Sequence, residues 1–279
     1  MGAIGDPGDR PEAETHVSTA DELKPADRDV IREAKAELRE GHNRWLRNNK
    51  IEDFYGSPIH SWRVDKILAA TEPLSGQVLD VGCFVGEIAE RIEAQGNKTV
   101  VGMDCLEAAL KLTEARGIKT ILADIDEAVV PFEDDHFDAA VAADVLTEVY
   151  DPDAVVAELA RVVRPGGTLI FTVPNLACAG NRALLLTGRS PYNLEVRARR
   201  GVGHLRLFTR ASFTELLEDH GLEILETSCS VFVWPIWRFS RFRRTVEYDY
   251  PRWAYSKSLA RLFPTWGENI IVKARRPAR

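Results

Sequence analysis

At 279 residues, 45% apolar and 28% charged, the chain can bury a real core, as one large α/β domain with insertions or as two modest ones. A formal net charge of −7 excludes the basic excess that general nucleic-acid binding needs, so no nucleic-acid partner is expected. Cys83, Cys105, Cys178 and Cys229 form no CxxC pair and have no histidine at ligand spacing; a disulfide framework and a metal site are both excluded, and with no apolar signal run or membrane-length stretch the setting expected is cytoplasmic.

Taken in chain order, residues 1–25 are polar and read as a disordered tail. From Pro25 to about Asn49 the spacing of Val30, Ile31, Ala34, Leu38 and Trp45 among charges predicts a helix, and a second runs from Ser57 to Ala70. Residues 26–71 are therefore expected to form an N-terminal helical cap. Strands follow over Gln77–Val81, Thr99–Met103, Thr120–Ala123, Phe137–Ala142 and Thr168–Val173, with helices near 86–95, 106–116 and 152–163 between them. Short apolar strands alternating with helices imply a parallel sheet covered on both faces. A helix over Arg210–His220, stopped by Gly221, leads to strands over Leu222–Ser230 and Asn269–Ala274. Two stretches, 174–208 and 232–266, are too long for ordinary connections, and such insertions are usually functional.

The strongest chemical signal is the run Val78-Leu79-Asp80-Val81-Gly82-Cys83-Phe84-Val85-Gly86, an apolar strand with an acid near its end that turns through small residues into a helix. Gly82 permits a sharp turn, and Gly86 would let the helix start lie close to a ligand. Asp104, followed by Cys105, ends the next strand, where a carboxylate can accept hydrogen bonds from ribose hydroxyls; the alternative is an Asp capping the following helix. Asp124, followed by Ile125, ends the third strand, where an acid can meet an adenine amino group or equally cap a helix. A nicotinamide site would want Gly-x-Gly-x-x-Gly, but the spacing here is Gly82-x-x-x-Gly86, with an acid two residues ahead that would repel a pyrophosphate.

As a set, these residues resemble a class I S-adenosylmethionine-dependent methyltransferase, of the group that includes ubiquinone- and glycan-modifying enzymes. The resemblance covers 72–175 densely and 205–279 loosely. It extends to Phe137-Asp138-Ala139-Ala140-Val141, then Ala142-Ala143-Asp144-Val145-Leu146, and to Arg164-Pro165-Gly166-Gly167 leading into strand five. It implies a Rossmann-like, mostly parallel seven-stranded sheet with the last strand antiparallel, and S-adenosylmethionine as cofactor. Asp80, Gly82, Cys83, Phe84 and Gly86 would form the strand-one motif, Asp104 and Cys105 the ribose side, Asp124 and Ile125 the adenine side, and Asp144 the cofactor-facing end of strand four. There are two departures. Phe84 stands where a glycine is usual, and since a bulky residue resists positive φ, the turn is expected to hold it in an ordinary backbone region. Glu148 stands where many relatives carry histidine.

Residues 72–279 are thus expected to form a methyltransferase domain, with its acceptor at the carboxyl ends of the strands. Segment 174–208 supplies Tyr192, Arg197, Arg199, Arg200, His204 and Arg206. His204 is the candidate general base, against a plain loop-shaping role; Tyr55, Glu148, Tyr192 and Arg206 are candidate acceptor contacts. Segment 232–266 is dense in aromatics and arginines, against only Glu247 and Asp249; it suits an aromatic or phosphate contact, a membrane surface, or the core of a cap or homodimer interface. The function expected is methyl transfer to O or N of a small-molecule acceptor, anionic, sugar-like or aromatic. The rivals are a regulatory protein that keeps the cofactor fold without catalysis, and a methyltransferase acting on RNA or protein.

Overall fold

The computed structural model describes residues 36, 39–44, 46–47, 58–127, 130–191, 204–233 and 255–278. Helical residues within 36–47 precede α1 (Pro58–Thr71). Then come β1 (Gly76–Val81), α2 (Glu87–Glu93), β2 (Lys98–Asp104), α3 (Glu107–Ala115), β3 (Lys119–Leu122), β4 (Phe137–Ala143), α4 (Pro152–Val162) and β5 (Val163–Pro174). The remainder is α5 (Ala179–Leu186), α6 (Arg210–Asp219), β6 (Glu223–Cys229), β7 (Phe232–Val233), β8 (Tyr255–Ser256), α7 (Lys257–Leu262) and β9 (Asn269–Arg275).

Seven strands form one sheet in the order β3-β2-β1-β4-β5-β9-β6. The first five are parallel, and β9 enters antiparallel between β5 and β6, the arrangement the resemblance implied. Both faces are covered because consecutive side chains on one strand are all apolar. Val78 joins Ile67 of α1, Ala89 and Ile92 of α2 on one face. Its neighbour Leu79 joins Leu159 of α4, Phe213 of α6 and Phe171 on the other. That continuous burial is what a parallel sheet between two helical layers demands.

Local chemistry sets the helix starts. The Asp151 carboxylate accepts from the Ala154 N–H (3.0 Å) with Pro152 opening α4, and Thr209 with Ser212 closes a reciprocal capping box on α6. Arg164-Pro165-Gly166-Gly167, expected to lead into strand five, lies within β5: its register jumps between Phe137↔Val163 and Ala139↔Thr168, so the extra residues are taken up as an irregularity in the strand.

Insertion 174–208 contains α5, and its neck is closed where Asn175 bridges Phe208 and the Leu176 N–H donates to the Phe208 carbonyl (2.8 Å). Insertion 232–266 begins in β7, which pairs with β8, and ends beyond α7. Ala179, Cys229, Phe232 and Ala260 pack these pieces into one small core. Among the described residues, no helix is long and apolar enough to cross a membrane.

Candidate active site

The strand–turn–helix around Gly82 lies at the carboxyl end of β1, beside the topological switch where the order reverses from β1 to β4. Gly82 sits at φ 65, and a Cβ there would stand 2.5 Å from Val145 Cγ2, so the turn tolerates only glycine. Gly86 sits at φ 77, and its Cβ would strike Thr113 Cγ2 at 2.6 Å. Gly86 is thus held small by α3. The expectation for Phe84 is overturned: its φ is 49, in the left-handed region. The fold holds it there because the Phe84 N–H donates to Asp104 Oδ2 (2.9 Å) and its carbonyl accepts from Thr113 Oγ1 (2.8 Å). The ring packs against Val85, Leu106 and Ala109. Two hydrogen bonds and this packing offset a backbone cost of about 1–3 kcal/mol.

Asp80 is 1% exposed, and its Oδ2 has no hydrogen-bond partner among the described residues. Burial, then the neighbouring Asp104 and Glu87 carboxylates, push its acid up to about 8. A cation brought against such an acid would favour its ionised form. Cys83 lies beside it, 6% exposed, its thiol also pushed upward by burial and then by Asp80 and Asp104, so it stays protonated.

Asp104 accepts from Phe84 N–H through Oδ2 and from Leu106 N–H through Oδ1, each at 2.9 Å. It braces two turns at once, and each oxygen keeps lone-pair capacity for one more donor. Burial raises its acid, with Glu148 adding and the two backbone donors and His42 opposing. Cys105 follows, its thiol pushed up to about 11 mainly by burial. Asp124 accepts from the Asp126 N–H (3.1 Å) and pairs through Oδ2 with Arg39. Ile125 is buried in the main core. Leu46 packs against the cluster around Phe84 and Cys105, so the described residues of the N-terminal helical segment reach both the Asp124 and Phe84 positions.

Asp144, at the end of β4, stands at φ 65; its Oδ1 accepts from Thr172 Oγ1 (3.0 Å), and Oδ2 pairs with Arg63 of α1. Arg63 Nη2 donates to His60 Nδ1 (3.1 Å), which leaves Nε2–H to donate to Glu87 (3.0 Å). His60 is therefore neutral, in agreement with the fall in its pKa through burial. A chain of side chains, Glu87–His60–Arg63–Asp144, thus ties α2 and α1 to β4. One turn beyond Asp144, Glu148 lies 3.3 Å from His42 Nε2 and 3.9 Å from His204 Nδ1. His204 is pinned there because the N–H groups of Leu205 and Arg206 both donate to the Thr147 carbonyl (2.8 and 3.3 Å). Its Nδ1 is buried without a hydrogen bond among the described residues, and burial lowers its pKa. Arg206 Nη2 donates to the Tyr150 carbonyl (2.5 Å). Tyr55 and Tyr192 lie outside the described residues. Among the described residues, no cluster suits a metal.

Sequence reading did not single out Arg39, His42 or Arg63 as site residues. Arg63 follows His60 and Trp62 in α1, and its partner Asp144 lies 81 positions away, so no local pattern marks it.

An acid-rimmed switch point on a sheet with an inserted antiparallel β9 is the architecture of a Rossmann-like methyltransferase, and the comparisons with known proteins agree. A family model described as a methyltransferase domain matches residues 59–227. The chain belongs to that methyltransferase family. A ubiquinone biosynthesis O-methyltransferase from Thiobacillus denitrificans is 29% identical over 217 residues, covering 75% of this chain and 90% of that protein. An S-adenosylmethionine-dependent methyltransferase from Thermotoga maritima shares the fold with a TM-score of 0.58 at 16% identity, covering 86% of this chain and 99% of that one. Haemonchus contortus phosphoethanolamine N-methyltransferase 2, solved with S-adenosyl-L-methionine, gives 0.53 at 17% identity, over 77% of this chain and 52% of that one. The protein is an S-adenosylmethionine-dependent methyltransferase. Its residues fit the cofactor: the unpartnered Asp80 oxygen wants a cation, and S-adenosylmethionine carries a positive amino group but no phosphate that three acids would repel.

Proposed function

We propose that the enzyme methylates an oxygen or nitrogen of a small-molecule acceptor, with His204, backed by Glu148, receiving the acceptor's proton. The observation that carries this reading is the buried, unpartnered Nδ1 of His204 beside the Glu148 carboxylate, at the carboxyl end of β4 and next to the acid-rimmed turn. A ring kept neutral by burial can take a proton, and an adjacent carboxylate stabilises the imidazolium that forms. A small acceptor accords with the Thiobacillus relative's name.

In the same reading, Asp80 faces the amino group of the cofactor, Asp104 the ribose hydroxyls and Asp124 the adenine side, with Gly82, Cys83, Phe84, Gly86, Cys105 and Ile125 forming the walls. Arg63, held between His60 and Asp144, places a positive charge at the end of β4 on the cofactor side. When bound, S-adenosylmethionine supplies a methyl group made electrophilic by the sulfonium. The chain orients the acceptor, excludes water and moves one proton, and much of the rate can come from positioning alone. Arg206 orders the mouth through the Tyr150 carbonyl, while Tyr55 and Tyr192 are proposed to line the acceptor side.

The test begins with a library screen that follows S-adenosylhomocysteine release. With an acceptor found, His204→Asn should lower kcat by about a hundredfold, the range expected for a lost acid–base group, while S-adenosylhomocysteine affinity stays within about twofold, or about 0.4 kcal/mol. Glu148→Gln should move the acidic inflection of the kcat–pH profile, where His204 loses its proton, to lower pH, because the Glu148 charge raises the pKa of His204. Full turnover in His204→Asn removes the base from this loop.

A further inference from the structure

The described surface of the two insertions carries a feature that methyl transfer does not use. On α5, Leu185 is 55% exposed and Leu186 88%. At the end of α7, Leu262 is 71% exposed, with Phe263 and Trp266 nearly half so. These belong to one patch. The Ala179 N–H donates to the Trp266 carbonyl (2.9 Å), the Phe263 and Trp266 rings stand 5.8 Å apart, and the Arg182 guanidinium lies over the Trp266 ring at 5.5 Å. Leu185 and Leu186 follow Arg182 by three and four residues, which puts them on the same side of α5.

The charge of this patch is opposite to that of the chain. Residues 176–191 and 255–267 contain Arg182, Arg189, Lys257 and Arg261 and not one Asp or Glu, in a protein with a net charge of −7. Exposed leucines and a tryptophan, on segments whose charges are all positive and with Arg182 over the Trp266 ring, make the composition that lies in the headgroup region of an anionic bilayer, where the aromatic ring and aliphatic stems enter and the guanidinium groups stay at the phosphates. A second copy of the chain suits it less, since a two-fold contact would bring this patch against itself and set arginine against arginine.

We propose that the face built by α5 and α7 docks the enzyme on an anionic lipid surface. α5 leaves the carboxyl end of β5, the edge of the sheet that holds the candidate site, and Lys257 Nζ lies 4.7 Å from the Trp62 ring of α1, next to Arg63. Docking therefore turns the site's mouth toward the bilayer. Resting on the proposed small-molecule function, this narrows the acceptor to an amphiphile: a polar head bearing the accepting atom, and an apolar tail left in the membrane.

The experiment is flotation of the full chain with vesicles of phosphatidylcholine alone, and of phosphatidylcholine with phosphatidylglycerol. Binding is expected only to the anionic vesicles, and it should weaken as salt rises. Leu186→Glu, at a solvent-exposed position that does not threaten folding, should lower partitioning by about tenfold or more. Arg182→Gln with Arg261→Gln should lower it by about twenty-five-fold, each basic residue near such a surface being worth about fivefold. S-adenosylhomocysteine binding, measured on the same proteins, should stay unchanged; its loss in all of them, wild type included, would count against the site and not against the surface. No binding to anionic vesicles, or equal binding by wild type and Leu186→Glu, overturns the proposal. So does a concentration-dependent dimer in sedimentation that Leu186→Glu abolishes, which would make a second copy the occupant.

Discussion

Phe84 shows how one residue can be constrained from outside its own turn. Its left-handed φ of 49 is imposed by Asp104 and Thr113, which hold its N–H and carbonyl from two neighbouring elements. Gly82 is constrained differently, by the 2.5 Å its Cβ would leave to Val145. The two positions should therefore respond differently. Phe84→Gly relieves about 1 kcal/mol of backbone strain and forfeits ring packing, so S-adenosylhomocysteine affinity by titration calorimetry should stay within about threefold, or about 0.6 kcal/mol. Gly82→Val forces both the backbone and the Val145 side chain after β4 to shift and should cost more than tenfold, about 1.4 kcal/mol. The reverse order would mean that Phe84, and not the Gly82 approach, shapes the turn for the cofactor. The glycine spacing made this turn legible in the sequence. The φ of Phe84 was not, because the atoms that hold it come from residues 20 and 29 positions away.

At the scale of elements, the strands and helices from β1 to β5, and α6 beyond them, follow hydrophobic period and capping residues, because each is decided within a few residues. What lay beyond such reading is the contact of the N-terminal helical segment with the sheet. Arg39 meets Asp124 across 85 positions, and no periodicity encodes such a meeting. α5, inside an insertion that read only as an overlong connection, escaped for another reason: Leu184, Leu185 and Leu186 run together without a polar face to mark a helix. The Arg39–Asp124 pair gives this scale its test. Arg39 is 41% exposed, so Arg39→Ala should change stability by less than about 1 kcal/mol. If the segment closes over the cofactor, the same change should speed S-adenosylhomocysteine dissociation about threefold, read by stopped-flow fluorescence. An unchanged rate would make the pair a surface contact only.

For the whole molecule, the proposed place of Asp80 at the cofactor would couple charge to binding. Its pKa of about 8 in the free protein lies far above that of an exposed carboxyl. The folded state therefore holds a proton between about pH 4 and 8 that the unfolded chain has released, and the stability this group allows is full below pH 4 and lost as pH rises through 8. Asp80→Asn, which cannot ionise, should then gain melting temperature relative to wild type as pH rises over that window, with the gap levelling above pH 8. A cation placed against Asp80 favours its ionised form. S-adenosylhomocysteine binding at pH 7 should thus release a fraction of a proton, read as a binding heat that varies with the ionisation enthalpy of the buffer. A buffer-independent heat would place the amino group elsewhere. The inserted β9 has a consequence for how the chain is made. Among the described strands, β6 pairs only with β9, and β5 has no other neighbour on that side. A ribosome that has delivered β6 has therefore delivered a strand with nothing to pair with, and must add residues 230–268 before its partner appears. Through that interval the nascent chain carries an open β5 edge and an idle β6, and it is there, rather than at the cofactor turn, that a pause in translation would invite mispairing.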